Sequence, residues 1–313
     1  MAVIHSPRKG SLQFWPRKRI HKFLPSVNWD VISGTKKLKG FVGYKVGMTS
    51  VSVKDTTPNS MTKDKKIAIP ATIIECPPIK ILSTRFYKNG QVMTEVLADN
   101  LDKELRRKIK LPKKVDKKIE DVKNFDDIRV IVYSTTKKIE LKKTPDVIEI
   151  GLNGSLDDKM SFVKENLGKE LPLTEAIQNG QLIDVRGITK GKGLQGPVKR
   201  FGVKLRQHKS EKGVRKVGSI GPWHPARLTF RTPMAGQMGH ATRINYNNKI
   251  IEMAKASEKP LKNIKNYGDL KSDYIIVYGS VSGPAKRQLL ITSPLRQTKA
   301  QSKKQYEFIE VLR

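Results

Sequence analysis

The residues best able to do chemistry in this 313-residue chain are cations, and they are gathered rather than spread. Between Arg186 and Arg243 stand fourteen Lys or Arg against one acid, Glu211, with ten of the chain's 23 glycines and four prolines. Cations at that density, among turns that expose backbone N–H groups, bind a polyanion. The stretch holds only scattered large apolar side chains. It cannot bury enough surface to offset its ordering entropy, so it takes its shape against an external partner. In its middle lies Gly221-Pro222-Trp223-His224-Pro225. Two prolines stiffen that turn, and Lys216, Arg227, Arg231 and Arg243 surround it in sequence, which favours an RNA-facing indole, with base stacking one of several contacts open to it, over a core tryptophan. The partner these features imply is folded RNA.

Three other chemistries are weighed and set aside. Gly191-Lys192-Gly193-Leu194-Gln195-Gly196 has the spacing of a dinucleotide-binding loop. No amphipathic helix is expected after Gly196, and no acid lies about 20 positions on to hold a ribose. The loop instead brings Lys190, Lys192, Lys199 and Arg200 with backbone N–H groups against phosphates. His208, His224 and His240 are evenly spaced, but no Cys, Asp or Glu completes a metal sphere, and structural zinc needs four grouped ligands. With the basic segments almost free of carboxylates, acid–base catalysis has little to use. The chain is expected to be no enzyme and to carry no cofactor.

The formal net charge is +33 and the pI near 10.1, far beyond what solubility needs; such a field calls for phosphate or anionic lipid. No run approaches the roughly 20 apolar residues of a spanning helix. The opening residues, Met1 to Lys9, lack a signal-peptide apolar stretch. The basic stretches are broken by Gly and Pro, unlike a membrane-surface helix, so no membrane partner is expected. One cysteine, Cys76, precludes an internal disulfide and fits a reducing cytoplasm; its apolar surroundings mark it as a core thiol. At 37% hydrophobic residues a real core is expected.

The elements that must position the cations are mostly strands. Short Val/Ile/Tyr/Thr-rich runs bounded by turn residues predict strands at Phe41–Val53, Ile67–Glu75, Ile79–Phe86, Gln91–Leu97, Ile128–Tyr133, Val147–Ile150, Leu182–Ile188, Tyr274–Val281, Gln288–Thr292 and Tyr306–Leu312. Asn89-Gly90 suits a hairpin turn. Many short strands with short connections favour a barrel over a doubly wound sheet. One helix is marked by Ser155 as cap, Asp157 and Asp158 at its positive end, an apolar stripe of Leu156, Met160, Val163 and Leu167, and Gly168 as stop. A charged helix is expected over Asp102–Lys110. Residues 95–149 carry fifteen basic against twelve acidic residues, a solvated mixed-charge face. Residues 1–48 carry ten Lys or Arg against Asp30 alone, with Phe14, Trp15, Phe23 and Trp29 scattered among them.

Several of these stretches resemble a known family. Asp184 through Arg200 (DVRGITKGKGLQGPVKR) and Gly43 through Thr49 (GYKVGMT) are similar to signatures of the universal large-subunit ribosomal protein L3 family. Ser6 through Leu12, Pro16 through Arg19, Gly221 through Arg227 and Gly236 through Arg243 resemble its archaeal and eukaryotic branch.

The resemblance implies a mainly β fold: a six-stranded elongation-factor-like β-barrel carrying an inserted α+β region, plus extended N-terminal and central arms. The boundaries expected are 1–39 for the N-terminal extension, 40–94 for the first part of the barrel and 95–180 for the insertion. A barrel strand with its glycine-rich basic loop follows at 181–203, a finger-like extension at 204–243, and the rest of the barrel at 244–313.

The implied partners are large-subunit rRNA and neighbouring large-subunit ribosomal proteins. The chain would be a monomer within the cytoplasmic ribosome, with a role in early subunit assembly. The expected phosphate contacts are Arg8, Lys9, Arg17, Lys18, Arg19, Lys190, Lys192, Lys199, Arg200, Arg215, Lys216, Arg227, Arg231 and Arg243. The resemblance puts Trp223 and His224 at the tip, towards the peptidyl transferase centre. The alternatives are a general architectural nucleic-acid-binding protein and an RNA-modifying enzyme.

Overall fold

The structure, a computed structural model, describes residues 7–112 and 117–312. Ser6, which opens the N-terminal motif, and the leader reading of residues 1–6 lie outside them. The chain forms two compact units. One takes the described part of Met1–Lys22 with Thr189–Thr242; the other takes Phe23–Ile188 with Arg243–Arg313.

The protein is mainly β. In chain order its strands are β1 (Gly40–Asp55), β2 (Lys66–Glu75), β3 (Ile79–Lys88), β4 (Gln91–Leu97), β5 (Asp127–Ser134), β6 (Val147–Gly151), β7 (Glu170–Leu171), β8 (Leu182–Ile188), β9 (Leu194–Gln195), β10 (Gly236–Gln237), β11 (Thr242–Ala254), β12 (Tyr274–Tyr278), β13 (Gln288–Thr292) and β14 (Tyr306–Leu312). The helices are α1 (Leu156–Asn166), α2 (Pro197–Phe201) and α3 (Lys299–Ser302). A seven-stranded sheet runs β13-β8-β11-β12-β2-β1-β14, with a further pairing of β13 to β1. A second sheet runs β4-β3-β5-β6, with β7 on β3. Thus β3 pairs with β4, β5 and β7, and among the described residues neither β3 nor β4 pairs with β1 or β2. Among the described residues no helix is long and apolar enough to cross a membrane.

The Gly43–Thr49 motif turns out to be a set of clamps in β1. Tyr44, fully buried, donates to Asp146 at 2.6 Å and lies 2.6 Å from the Ser134 hydroxyl; burial, reinforced by Asp146, pushes its hydroxyl pKa well up. The Lys45 ammonium is buried too and donates to the carbonyls of Val281 and Gly283. Gly43 faces the packed side, where a Cβ would stand 2.7 Å from Ile74 Cγ2 and 3.1 Å from Ile291 Cδ1. Because neither branched side chain can retreat in a close-packed core, Gly43→Ala is expected to destabilise the protein by about 1–3 kcal/mol. Thermal unfolding measures this, and an unchanged Tm would show that the core yields there.

The strand and helix predictions hold with four physical corrections. β11 was not foreseen: Asn245, Asn247 and Asn248 hide its alternation, and Asn247 sits at φ 54° with its N–H on Asp184 Oδ1 at 2.8 Å. β12 ends at Tyr278 instead of Val281, since Gly279 takes φ 85° and its N–H turns to the Pro70 carbonyl. The expected helix over Asp102–Lys110 is a single 3₁₀ turn, Lys103–Arg107, in which only Leu105 is buried. In α1 the Ser155–Asp158 capping box forms and Gly168 takes φ 74°. However, Leu156 stays 39% exposed and Phe162 joins Val163 in the core. The Asn89-Gly90 turn has both φ positive, 49° and 73°, as a two-residue hairpin requires. Cys76 is buried, and burial pushes its thiol pKa well up.

Candidate nucleic-acid interface

In the smaller unit the glycine-rich loop is a tight ladder. Thr189 N–H donates to Ala241 O at 3.0 Å, Lys192 N–H to Met238 O at 2.9 Å, and Met238 N–H to Gly193 O at 2.9 Å. Gly239, at φ 71°, lies where any Cβ would overlap the Lys190 carbonyl. β9 pairs with β10 directly beyond, so residues 196–235 leave and return at one place. The helix that follows Gly196, α2, is only five residues long, too short to be the amphipathic helix a dinucleotide loop opens: Pro197 starts it and Gly202, at φ 68°, ends it.

Arginines and aromatic rings hold the base of this excursion. Arg200 Nε donates to Gln237 O at 3.0 Å and its Nη1 to Met234 O at 2.9 Å. Burial lowers the pKa of this guanidinium. Arg17, from the N-terminal segment, lies 4.4 Å from the Phe201 ring centroid and donates to Arg200 O and Ser11 O. Trp15 stacks on Phe201 at 6.2 Å and meets Phe230 edge-on at 5.9 Å. Arg8 donates to Arg231 O at 2.8 Å, and Ile20 N–H to His240 O at 3.2 Å. The N-terminal segment and the glycine loop therefore fold as one body. Phe201 and Phe230 were missed by sequence reasoning; the available signal was their rarity, as large rings in an arm with few apolar side chains.

Farther out, Arg206 N–H donates to Val214 O at 3.0 Å, and the Thr232 hydroxyl to Ile220 O at 3.1 Å. The latter closes a turn in which every residue from 221 to 230 is exposed, with Trp223 at 89%. Of the expected contact residues, Arg8, Lys9, Lys18, Arg19, Lys190, Lys192, Lys199, Arg215, Lys216, Trp223, His224, Arg227 and Arg231 are exposed. Arg17, Arg200 and Arg243 are half-buried, and Arg243 belongs to the larger unit, on β11. Structure brings Arg17 to Arg200 and Arg8 to Arg231. Lys190, Lys192, Lys199, Arg215, Lys216 and Arg227 make no side-chain hydrogen bond or ion pair among the described residues. Cations so placed are available to phosphates. No group of three His, Cys, Asp or Glu fit to hold a metal occurs among the described residues.

Trp29 separates from the other tryptophans. It is 3% exposed in the core of the larger unit, packed where Gly40 and Gly151 lack side chains.

The family model described as Ribosomal protein L3 matches residues 1–311. The large ribosomal subunit protein uL3 of Methanocaldococcus jannaschii is 41% identical over 309 residues, covering 94% of this chain and 92% of that protein. The uL3 protein of Picrophilus torridus is 38% identical over 311 residues, 96% of this chain and 94% of its own. That of Methanobrevibacter smithii is 41% identical over 310 residues, with 93% and 92% covered.

Proposed function

The chain belongs to the ribosomal protein L3 family, and on that premise we propose how its two units serve a structural, non-enzymatic constituent of the large ribosomal subunit. The smaller unit threads into large-subunit rRNA. Its exposed cations, from Arg8 to Arg231, contact phosphates; Trp223 and His224 form the tip, directed to the peptidyl transferase centre. Arg243 adds a contact from the larger unit. Neighbouring subunit proteins share the RNA, and the chain acts as a monomer in the cytoplasmic ribosome, early in assembly.

One observation carries this reading. The excursion 196–235 stands on the β9–β10 ladder and ends in an 89%-exposed tryptophan, flanked in sequence by Arg215, Lys216 and Arg227, which make no side-chain hydrogen bond or ion pair among the described residues. An aromatic so exposed gains nothing for the free fold, whereas base stacking contributes about 1–3 kcal/mol.

The larger unit is the anchor. We read β1, β2, β12, β11, β8 and β13 as a closed barrel of the elongation-factor type, supported by the pairing of Gly40–Tyr44 with Gln288–Thr292. The α+β insertion then begins at β3 and runs to about residue 180.

Two measurements test the function. The protein should stay with large subunits through a high-salt wash, where one held only by general charge releases steeply. Trp223→Ala should change the Tm of the free protein by no more than a surface substitution does, within about 0.5 kcal/mol. Subunits carrying it should assemble but respond differently to tRNA or to antibiotics at that centre. A stability loss of about 3–5 kcal/mol, that of a core tryptophan, would overturn the assignment.

A further inference from the structure

The seven-stranded sheet of the larger unit ends on β14, and the far edge of that strand has no strand partner among the described residues. We propose that this edge takes an added strand, an extended basic segment of a neighbouring large-subunit protein lying alongside Tyr306–Phe308. The proposal rests on the ribosomal reading above.

The backbone is turned for it. Thr56 N–H donates to Gln305 O at 3.0 Å and Gln305 N–H to Thr57 Oγ1 at 2.9 Å, so Gln305 spends both groups on the β1 side. Successive residues of a strand turn to opposite edges, and Tyr306 and Phe308 therefore present their N–H and C=O groups away from β1. Room lies beside them: a cavity of ≈ 520 Å³ opens between Tyr306–Phe308 and Lys249–Glu252 of β11. Edge strands that stay unpaired are commonly guarded by Lys or Pro; Tyr306–Leu312 contains neither. Ile309, skipped in the register with β1, ends the regular ladder and keeps the added strand short.

Charge selects the occupant. Tyr306 and Phe308 pack against the second core, while Glu307 and Glu310 are exposed. Neither acid makes a hydrogen bond or ion pair among the described residues. Lys54 stands opposite Glu307 in register, but its ammonium lies 3.6 Å from Asp64. Two unpaired carboxylates repel RNA phosphates, although most of this chain's exposed charge attracts them. A second copy of β14, added antiparallel, would bring acids near acids, which is unfavourable across strands. A strand with Lys or Arg on the Glu307 face and apolar side chains on the Tyr306 face satisfies both the charge and the pleat. Lys249, on the opposite wall, disfavours cations within the cavity itself.

The test compares the full-length chain free and within purified large subunits. Amide hydrogen exchange across 304–312 should slow about tenfold or more in the subunit. With photoreactive benzoylphenylalanine in place of Ile309, the chain should cross-link there to one subunit protein, within a segment that alternates Lys or Arg with apolar residues. Glu307→Lys combined with Glu310→Lys alters two side chains without partners in the fold, so the free chain should melt as before. In the subunit that variant should lose about tenfold in protection, the effect of reversing two cross-strand charge pairs. A cross-link to rRNA, to a second copy of this chain or to a segment lacking that pattern overturns the proposal. So does exchange as fast in the subunit as in the free protein, or protection that the double variant leaves intact. Failure of the unsubstituted chain to enter large subunits would instead sink the functional reading itself.

Discussion

Exchange of Lys204, Lys209, Lys212, Arg215, Lys216 and Arg227 together for Gln is expected to reduce rRNA affinity at 0.15 M salt by about three to four orders of magnitude, with the salt slope shallower by about 4 to 5. All six side chains are exposed, and none makes a hydrogen bond or ion pair among the described residues. Their removal therefore takes nothing from the internal bonding of the smaller unit. Arg17, Arg200 and Arg206 are left in place because their guanidinium groups hold carbonyls at the base and stem of the excursion. The effect should appear in the salt dependence before it appears in stability: phosphate contacts release counterions on binding, whereas surface charges change folding by only about 0.5 kcal/mol each. Binding measured at four or more salt concentrations checks it. A slope change below one unit would mean the excursion does not follow the RNA backbone. The same variant should enter large subunits poorly when it competes with the unaltered chain.

What the sequence made legible were the features written locally. The ten foreseen strands carry their own β-branched runs, and α1 carries its cap and stop within fourteen residues. The ordered motifs from Ser6 to Arg243 sufficed for the family. What stayed hidden depends on partners far along the chain. Arg17 meets Phe201 and the Arg200 carbonyl across more than 180 residues, and a backbone acceptor leaves no mark in sequence. β11 was masked because Asp184 satisfies the Asn247 N–H at a point where the strand turns to positive φ. Trp29 and Trp223 sit in equally basic surroundings, yet one is 3% exposed and the other 89%. The difference lies in Gly40 and Gly151, which make space for the Trp29 ring; nothing comparable surrounds Trp223.

Glu75→Ala is expected to destabilise the protein by about 3–5 kcal/mol, since three buried donors lose their acceptor at about 1–3 kcal/mol each, a fall in Tm on the order of 10 °C for a unit of this size. Glu75 ends β2 and is 1% exposed. Its Oε1 accepts the backbone N–H groups of Lys271 at 2.8 Å and Ser272 at 3.0 Å, and its Oε2 accepts the Tyr267 hydroxyl. Burial, with Glu75 beside it, pushes the Tyr267 hydroxyl pKa well up, which keeps that proton available to donate. These bonds fasten the long connection between β11 and β12, whose Leu261, Ile264, Tyr267 and Leu270 cover the apolar face made by Val46, Ile73, Ile251 and Ile276. Alanine would leave two backbone donors and one hydroxyl without their acceptor and would loosen that cover, a packing loss added to the polar one. Glu75→Gln separates the two contributions. Its amide oxygen can still accept both N–H groups, and its NH₂ can donate to a reversed Tyr267 hydroxyl, so its loss should be only about 1 kcal/mol. If the two variants melt together, the carboxylate charge, not the acceptor geometry, holds the connection down. If neither melts lower, the cover of the second core does not depend on Glu75 at all.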